Sequence, residues 1–253
     1  MPKEKFAELI EIMNRLRVEC PWDREQTNDS IKDATLEEAY EVIEAIDDKD
    51  FDELKKELGD LLLHVVFHSK IAEDEGHFSI EDVISGITEK LIRRHPHVFG
   101  DTVVNGNKDI EMNWEKIKLQ EGRTSVVEGV PKNLPGLNRA FRLQQKAAKV
   151  GFDWENKEDV WKKVKEELDE IEELSHDENN PNLEAEIGDL LFSIANYCRF
   201  VKVSPESALR LTNEKFIKRF TYIEDRLREK GKAITDSNLE EMDKYWEESK
   251  SKV

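Results

Sequence analysis

KEELDEIEEL, residues 165–174, places six acids in ten positions directly after Val164. EIGDLLF, residues 186–192, then sets Glu186 and Asp189 beside a second apolar run. At about 100° per residue, Val160, Trp161, Val164, Ile171 and Leu174 share one arc centred on Leu168. Glu167 falls inside that arc and Glu170 at its edge. Glu166 lies further round toward solvent, and Glu172 and Glu173 point away. In the following helix Leu183, Ile187, Leu190, Ile194 and Tyr197 form the stripe, with Glu186 beside it and Asp189 a little further on the same side. Each helix therefore offers two acids at i, i+3 along one margin of its packed face, and antiparallel packing would let four carboxylates converge.

Four unpaired carboxylates at a half-buried seam repel one another and lose hydration. An all-oxygen donor set of this kind suits a hard cation, Mg²⁺ or Mn²⁺. A solvated acidic face paired with lysines explains the same spacing, so composition and periodicity reach a candidate divalent-metal site in a helical protein and stop there.

The same pattern occurs twice. LEEAYEVIE (36–44) matches KEELDEIEE (165–173), and LKKELGDLLL (54–63) matches LEAEIGDLLF (183–192). The offset is 129 in both blocks, as 166 − 37 and as 186 − 57. The N-terminal acids are thus Glu38, Glu41, Glu57 and Asp60. EKLIRR (89–94) likewise resembles EKFIKR (214–219), and NWEKIK (113–118) resembles YWEESK (245–250). The chain reads as two copies of one all-α unit, residues 1–120 and 136–253. Between them EGRTSVVEGVPKNLPG carries a linker at 121–135, marked by Gly, Pro and β-branched residues.

Periodicity is helical throughout and no segment alternates as a strand. Phe6, Leu9, Ile10, Met13 and Leu16 make the first stripe. Ser30 is expected to start a helix with Ile31, Tyr40, Ile43 and Ile46. A third helix is expected from about 50 to 73, a fourth capped by Ser79, and a fifth holding Met112 and Trp114. HPHVFGD (95–101) reads as a break. The second copy is expected to be helical over 136–149, 157–176, 182–202, 204–230 and 238–250.

Composition narrows the function classes. Of 253 residues 38% are charged, Gly and Pro number only 11 and 7, and the net charge is -18. Long amphipathic helices fit that mix, and so acidic a surface opposes binding to nucleic acid. Two cysteines, Cys20 and Cys198, are too few for a disulfide framework or a Cys-rich metal site; they read as reduced thiols of a cytoplasmic protein. The N-terminus lacks the pattern of a signal peptide, and no apolar run approaches the roughly 20 residues of a membrane span. His64 and His68, at i, i+4 with Asp60 one turn earlier, read as hydrogen-bonded histidines near the core.

EELDE followed by EIGDL, and EEAYE followed by ELGDL, resemble the E-E-x-x-E … E-x-x-D pattern of the MazG nucleoside triphosphate pyrophosphohydrolases. CPWDREQT (20–27), RRHPHVFGD (93–101), GFDW (151–154) and NEKFIKRF (213–220) extend the resemblance over nearly the whole chain. The resemblance implies helical bundles intertwined in a dimer, and hydrolysis of a nucleoside triphosphate to monophosphate and pyrophosphate with Mg²⁺. It implies Glu167, Glu170, Glu186 and Asp189 as magnesium ligands, with Glu166 to orient or deprotonate the attacking water. It also places Lys215, Lys218 and Arg219 on the nucleotide and Trp246 on its base or ribose. Lys163, one turn before Glu167, is a further candidate for the phosphates. Its counterpart at 163 − 129 is Ala34, so the C-terminal copy is expected to be the main catalytic site. The alternatives are a related all-α hydrolase of dUTP or phosphoribosyl-ATP, and a non-catalytic acidic module that binds nucleotide or a partner protein. Helical stripes too broad for one small bundle predict a homodimer or larger even oligomer.

Overall fold

A computed structural model describes residues 2–106, 109–110, 113–114, 117–118, 121–122, 124–174 and 180–252. The chain divides into two compact units, Met1–Val104 and Asn105–Val253, and no strand occurs among the described residues.

Unit 1 is built on a helical hairpin. Helix α3 (Lys32–Asp48) follows α1 (Pro2–Glu19) and the short α2 (Pro21–Glu25), and turns back into α4 (Phe51–Asp74). The turn is compact because Lys49 ends α3 in the left-handed region at φ 58°. Asp50 then caps α4 by accepting from the Asp52 and Glu53 N–H groups. Met13 of α1 buries against Ile31, Val66, Phe67 and Ile71, with Phe6, Leu9 and Ile10 packed around them. The expected start at Ser30 is displaced: Ser30 lies in a turn, its Oγ accepting from Thr27 N–H, and the helix begins two residues later. Ser79 caps α5 (Ile80–Arg94) as expected, in a reciprocal capping box with Asp82. The expected break at 95–101 contains one further turn of helix, α6 (Pro96–Phe99), since Pro96 sits where a missing N–H costs nothing. Met112 lies outside the described residues.

Unit 2 repeats the hairpin as α8 (Lys157–Leu174) and α9 (Leu183–Phe200), with α7 (Gly136–Ala148) laid against α9. Helix α10 (Pro205–Glu229), capped by Ser204, carries α11 (Leu239–Ser249) through Ile223, Leu227 and Tyr245. Lys146 of α7 is buried, and its ammonium donates to the carbonyls of Val126 (3.1 Å) and Glu128 (2.7 Å). Part of the segment read as a linker is thereby fastened to α7.

One expectation is corrected. Leu168 does not centre the packed face of α8; it is 52% exposed, while Val160, Val164 and Glu167 are buried. Those three recur at i, i+4, i+7 on the face toward α9, whereas on the flank Leu168 stands exposed and Trp161 is only partly covered, its ring 4.8 Å from that of Tyr197 of α9. On α9 Ile187 and Ile194 are likewise exposed, and Ser193 and Ala195 buried.

Candidate active site

The α8–α9 hairpin brings Glu167, Glu186 and Asp189 together, one carboxylate oxygen of each lying within 4.8 Å of the others. Glu167 is only 4% exposed because it shares the packed face with Val160 and Val164. Its buried charge is met by Lys163, one turn earlier, whose Nζ lies 2.6 Å from Glu167 Oε1 and 2.8 Å from Glu166 Oε1. The hydrogen bonds to Glu166 and Glu167 drive the lysine pKa upward and hold it charged. Glu170 stands next to the trio rather than within it. Its carboxyl is pushed up by a hydrogen bond with Glu167, by burial and by the charges of Glu167 and Glu186, against the pull of Lys163. A carboxyl pushed up by neighbouring carboxylates marks a site short of positive charge.

Unit 1 gathers a different three of its four acids: Glu38, Glu41 and Glu57. Asp60 stays outside but raises the Glu38 carboxyl by its charge, after burial and Glu41 and against His64. Glu57, 9% exposed, is pushed up to about 7 by burial, then by its contacts with Glu53 and Glu41. No lysine stands where unit 2 has Lys163, since that position is Ala34. A cluster of hydrogen-bonded side chains occupies the neighbourhood instead. Thr35 Oγ1 donates to the Ile31 carbonyl (3.0 Å) and lies 2.7 Å from His68 Nε2 and 2.9 Å from His64 Nδ1, while His68 Nδ1 lies 2.6 Å from Asn28 Oδ1. Burial, then His64, lowers the His68 pKa. The two histidines are thus hydrogen-bonded within the packed hairpin, as the sequence suggested.

In unit 2 Glu167, Asp189 and Lys163 open onto a cavity of about 820 Å³. Lys163, Glu167 and Asp189 line it together with apolar Leu143, Ala147, Phe152, Trp154 and Phe192, and with Gln144 and Asn196. Arg199 and Asp153 form an ion pair at its wall. Pockets of this volume and lining suit a small organic ligand. Lys215, Lys218, Arg219 and Trp246 do not line it. Lys215 and Lys218 are exposed on α10, and Arg219 lies over the Trp246 ring at 5.5 Å. Trp246 in turn packs against Phe216 and beside the Ile223–Leu227–Tyr245 cluster. Glu166 is exposed and paired with Lys163.

Gln144, Asn196 and the Asp153–Arg199 pair were not singled out from sequence. GFDW had drawn notice only through the family resemblance. Gln144 sits in an ordinary amphipathic helix, where no periodicity separates a cavity-lining amide from a surface one.

The chain is thus an all-α protein whose hairpins each gather carboxylates, an all-oxygen donor set of the kind that suits a hard divalent cation. The chain belongs to the MazG family: the model of the MazG nucleotide pyrophosphohydrolase domain matches residues 26–99 and again 155–223, once in each unit. It is 47% identical to the Thermotoga maritima nucleoside triphosphate pyrophosphohydrolase/pyrophosphatase MazG, over 97% of this chain and 95% of that one. It is 42% identical to the Escherichia coli K12 nucleoside triphosphate pyrophosphohydrolase, over 96% and 95% respectively. It is also 50% identical to Bacillus subtilis YabN, of which it spans 52%.

Proposed function

We propose that the chain hydrolyses nucleoside triphosphates to nucleoside monophosphate and pyrophosphate, mainly at the Glu167–Glu186–Asp189 site of unit 2. The observation that carries this reading is a cluster of three carboxylates, two of which, Glu167 and Asp189, line with Lys163 one cavity of nucleotide size. Full-length similarity to two proteins named nucleoside triphosphate pyrophosphohydrolases supports it.

The donor set fits Mg²⁺, with Mn²⁺ as substitute: Glu167, Glu186 and Asp189 would hold it, with Glu170 beside them. Bound there, the ion would neutralise phosphate charge and make water more acidic. The chain's own groups do the rest. Lys163 turns from its two glutamates toward a phosphate oxygen and stabilises charge on the triphosphate. Glu166, freed of that ion pair and exposed to solvent, takes the proton of the water that attacks the α-phosphorus. The apolar wall excludes bulk water from the nucleoside end.

Glu38, Glu41 and Glu57, with Asp60 at their margin, would form a second cation site of lesser catalytic weight, because Ala34 cannot meet a phosphate. Lys215, Lys218, Arg219 and Trp246 act on substrate only where a second copy brings them to the cavity, in a homodimer or larger even assembly. Reduced Cys20 and Cys198 agree with a cytoplasmic location, and the acidic surface with the absence of nucleic-acid partners.

The test is a product assay with a panel of triphosphates. Pyrophosphate and monophosphate are expected, abolished by EDTA and restored by Mg²⁺ or Mn²⁺. Turnover in metal-free protein, or release of orthophosphate and diphosphate, rules the reading out.

A further inference from the structure

Three polar residues of α9 share one face. Asp189, Ser193 and Asn196 recur at i, i+4, i+7, and all three line the cavity. At 1.5 Å per residue the row covers about 10 Å of helix, starting from the carboxylate cluster. Ser193 is only 8% exposed. Its hydroxyl has no hydrogen-bond partner among the described residues, yet it is not sealed from water. Asn196 is half-buried, and its Oδ1 accepts from Arg199 Nε at 3.2 Å and from Nη2 at 2.9 Å. A guanidinium only donates, so this contact decides which end of the amide is which. Nδ2 is the free end: among the described residues it donates to nothing, and it too is open to water. Arg199 is gripped in turn by Asp153, whose Oδ2 accepts from Nη1 at 2.8 Å and whose Oδ1 accepts from the Trp154 N–H at 2.9 Å. One carboxylate thus holds the backbone of the aromatic wall and, through Arg199, the orientation of the amide.

We propose that Asn196 is the base-binding residue of this site, its Nδ2 donating to the acceptor beside the glycosidic bond, N3 of a purine or O2 of a pyrimidine. The inference rests on the hydrolase reading and adds to it the path of the substrate along α9: phosphates at Asp189 and Lys163, ribose past the Ser193 hydroxyl, base at Asn196 beside the Trp154 ring. A phosphate with its cation and a ribose take up the length of the row, so the base meets Asn196 at the edge nearest its sugar. Every nucleobase presents an acceptor there. One amide donor therefore serves purines and pyrimidines alike, and the exocyclic groups that tell bases apart lie beyond its reach. The contact fixes the base without selecting it, and tolerance of several bases follows from the same geometry.

The experiment compares kcat/KM of the full chain for three triphosphates: ATP, 3-deaza-ATP, in which C–H replaces N3, and 7-deaza-ATP, in which C–H replaces N7. Loss of N3 is expected to lower kcat/KM about tenfold or more, and loss of N7 to change it less than about twofold. Asn196→Asp is then measured with the same set. It keeps the size of the side chain and an oxygen for Arg199 but has no N–H to donate. Its added charge weakens all three triphosphates alike and cancels in their ratio. In that variant the preference for ATP over 3-deaza-ATP should fall to within about twofold of unity, or reverse. A role in holding Arg199 alone would leave the preference unchanged. Three results overturn the proposal: a wild-type chain indifferent to N3, one that loses as much with N7, or a variant that keeps the wild-type preference. The wild-type comparison involves no substitution, so it decides the matter of N3 whatever the variant does to folding. If the wild-type chain releases pyrophosphate from no triphosphate, the hydrolase reading fails together with it. Release without dependence on N3 defeats the role of Asn196 alone.

Discussion

Lys163 and Ala34 differ by one side chain at matched positions, and the electrostatics of the two acid sites diverge accordingly. In unit 2 the ammonium answers the buried charge of Glu167. In unit 1 no such cation is present, and Glu57 takes up a proton, its pKa pushed up to about 7. The matched variants Glu186→Gln and Glu57→Gln remove the same carboxylate charge from each site. Glu186→Gln is expected to lower kcat/KM by about 10²-fold or more, equivalent to roughly 3 kcal/mol. Glu57→Gln should cost only a few-fold, provided light scattering shows an unchanged assembly. The reverse order would make unit 1 the principal enzyme. Glu57 also gives a pH signature. Its folded pKa exceeds that of a free carboxyl, so the folded state binds the proton more tightly. Its contribution to stability is therefore complete below about pH 4.5 and is lost as pH rises through about 7. In EDTA, the Tm of the wild-type chain should fall between pH 5 and pH 8 more steeply than that of Glu57→Gln, and divalent cation should restore it at pH 8. Parallel Tm profiles for the two proteins would contradict this assignment.

Among the elements, α5 and α7 show how local chemistry sets boundaries and walls. Ser79 Oγ accepts from the Asp82 N–H, and the Asp82 carboxylate accepts from the Ser79 N–H and hydroxyl, which hold that carboxyl below the usual range. Ser79→Ala should destabilise the protein by about 1 kcal/mol, read as a lowered denaturation midpoint with an unchanged slope. The role of α7 extends beyond its own residues. Lys146 fastens the 126–128 segment to the helix, and Val127 of that segment lines the cavity. Lys146→Met removes both hydrogen bonds and should speed amide exchange around Val127 and Glu128 about tenfold or more, each buried bond contributing about 1 kcal/mol. Unaltered exchange would mean that the segment is held by something other than the lysine.

For the whole molecule, the exposed apolar residues of the hairpins carry the argument. Trp161, Leu168, Ile187 and Leu191 of unit 2, like Leu36, Tyr40, Leu58 and Leu62 of unit 1, are exposed on the isolated chain. Burying such a side chain is worth about 1.5–3 kcal/mol, so two such faces far outweigh the cost of association for one pair of copies. The expected mass by light scattering at micromolar concentration is that of a dimer or larger even oligomer; a monomer would leave those faces without purpose. The charge of -18 opposes random association, which leaves apolar surface complementarity to select the partner face.

Helical class, the repeat and the eight acids were legible in the sequence because each depends on short-range order. A period of 3.6 residues sorts apolar from polar positions, and an offset of 129 recurs wherever the unit is copied. Lys163 was legible for the same reason, since i, i+4 spacing on one helix makes a contact whatever the rest of the chain does. Tertiary structure decided what two helices do to each other. It chose Glu167 over Leu168 as the buried member of α8, because α9 covers only part of a broad apolar arc. It gathered Asp189 into the trio of unit 2 but left Asp60 outside that of unit 1. It also brought Gln144 against Phe192, 48 residues along the chain. No local period encodes that contact, because it depends on how α7 lies across α9.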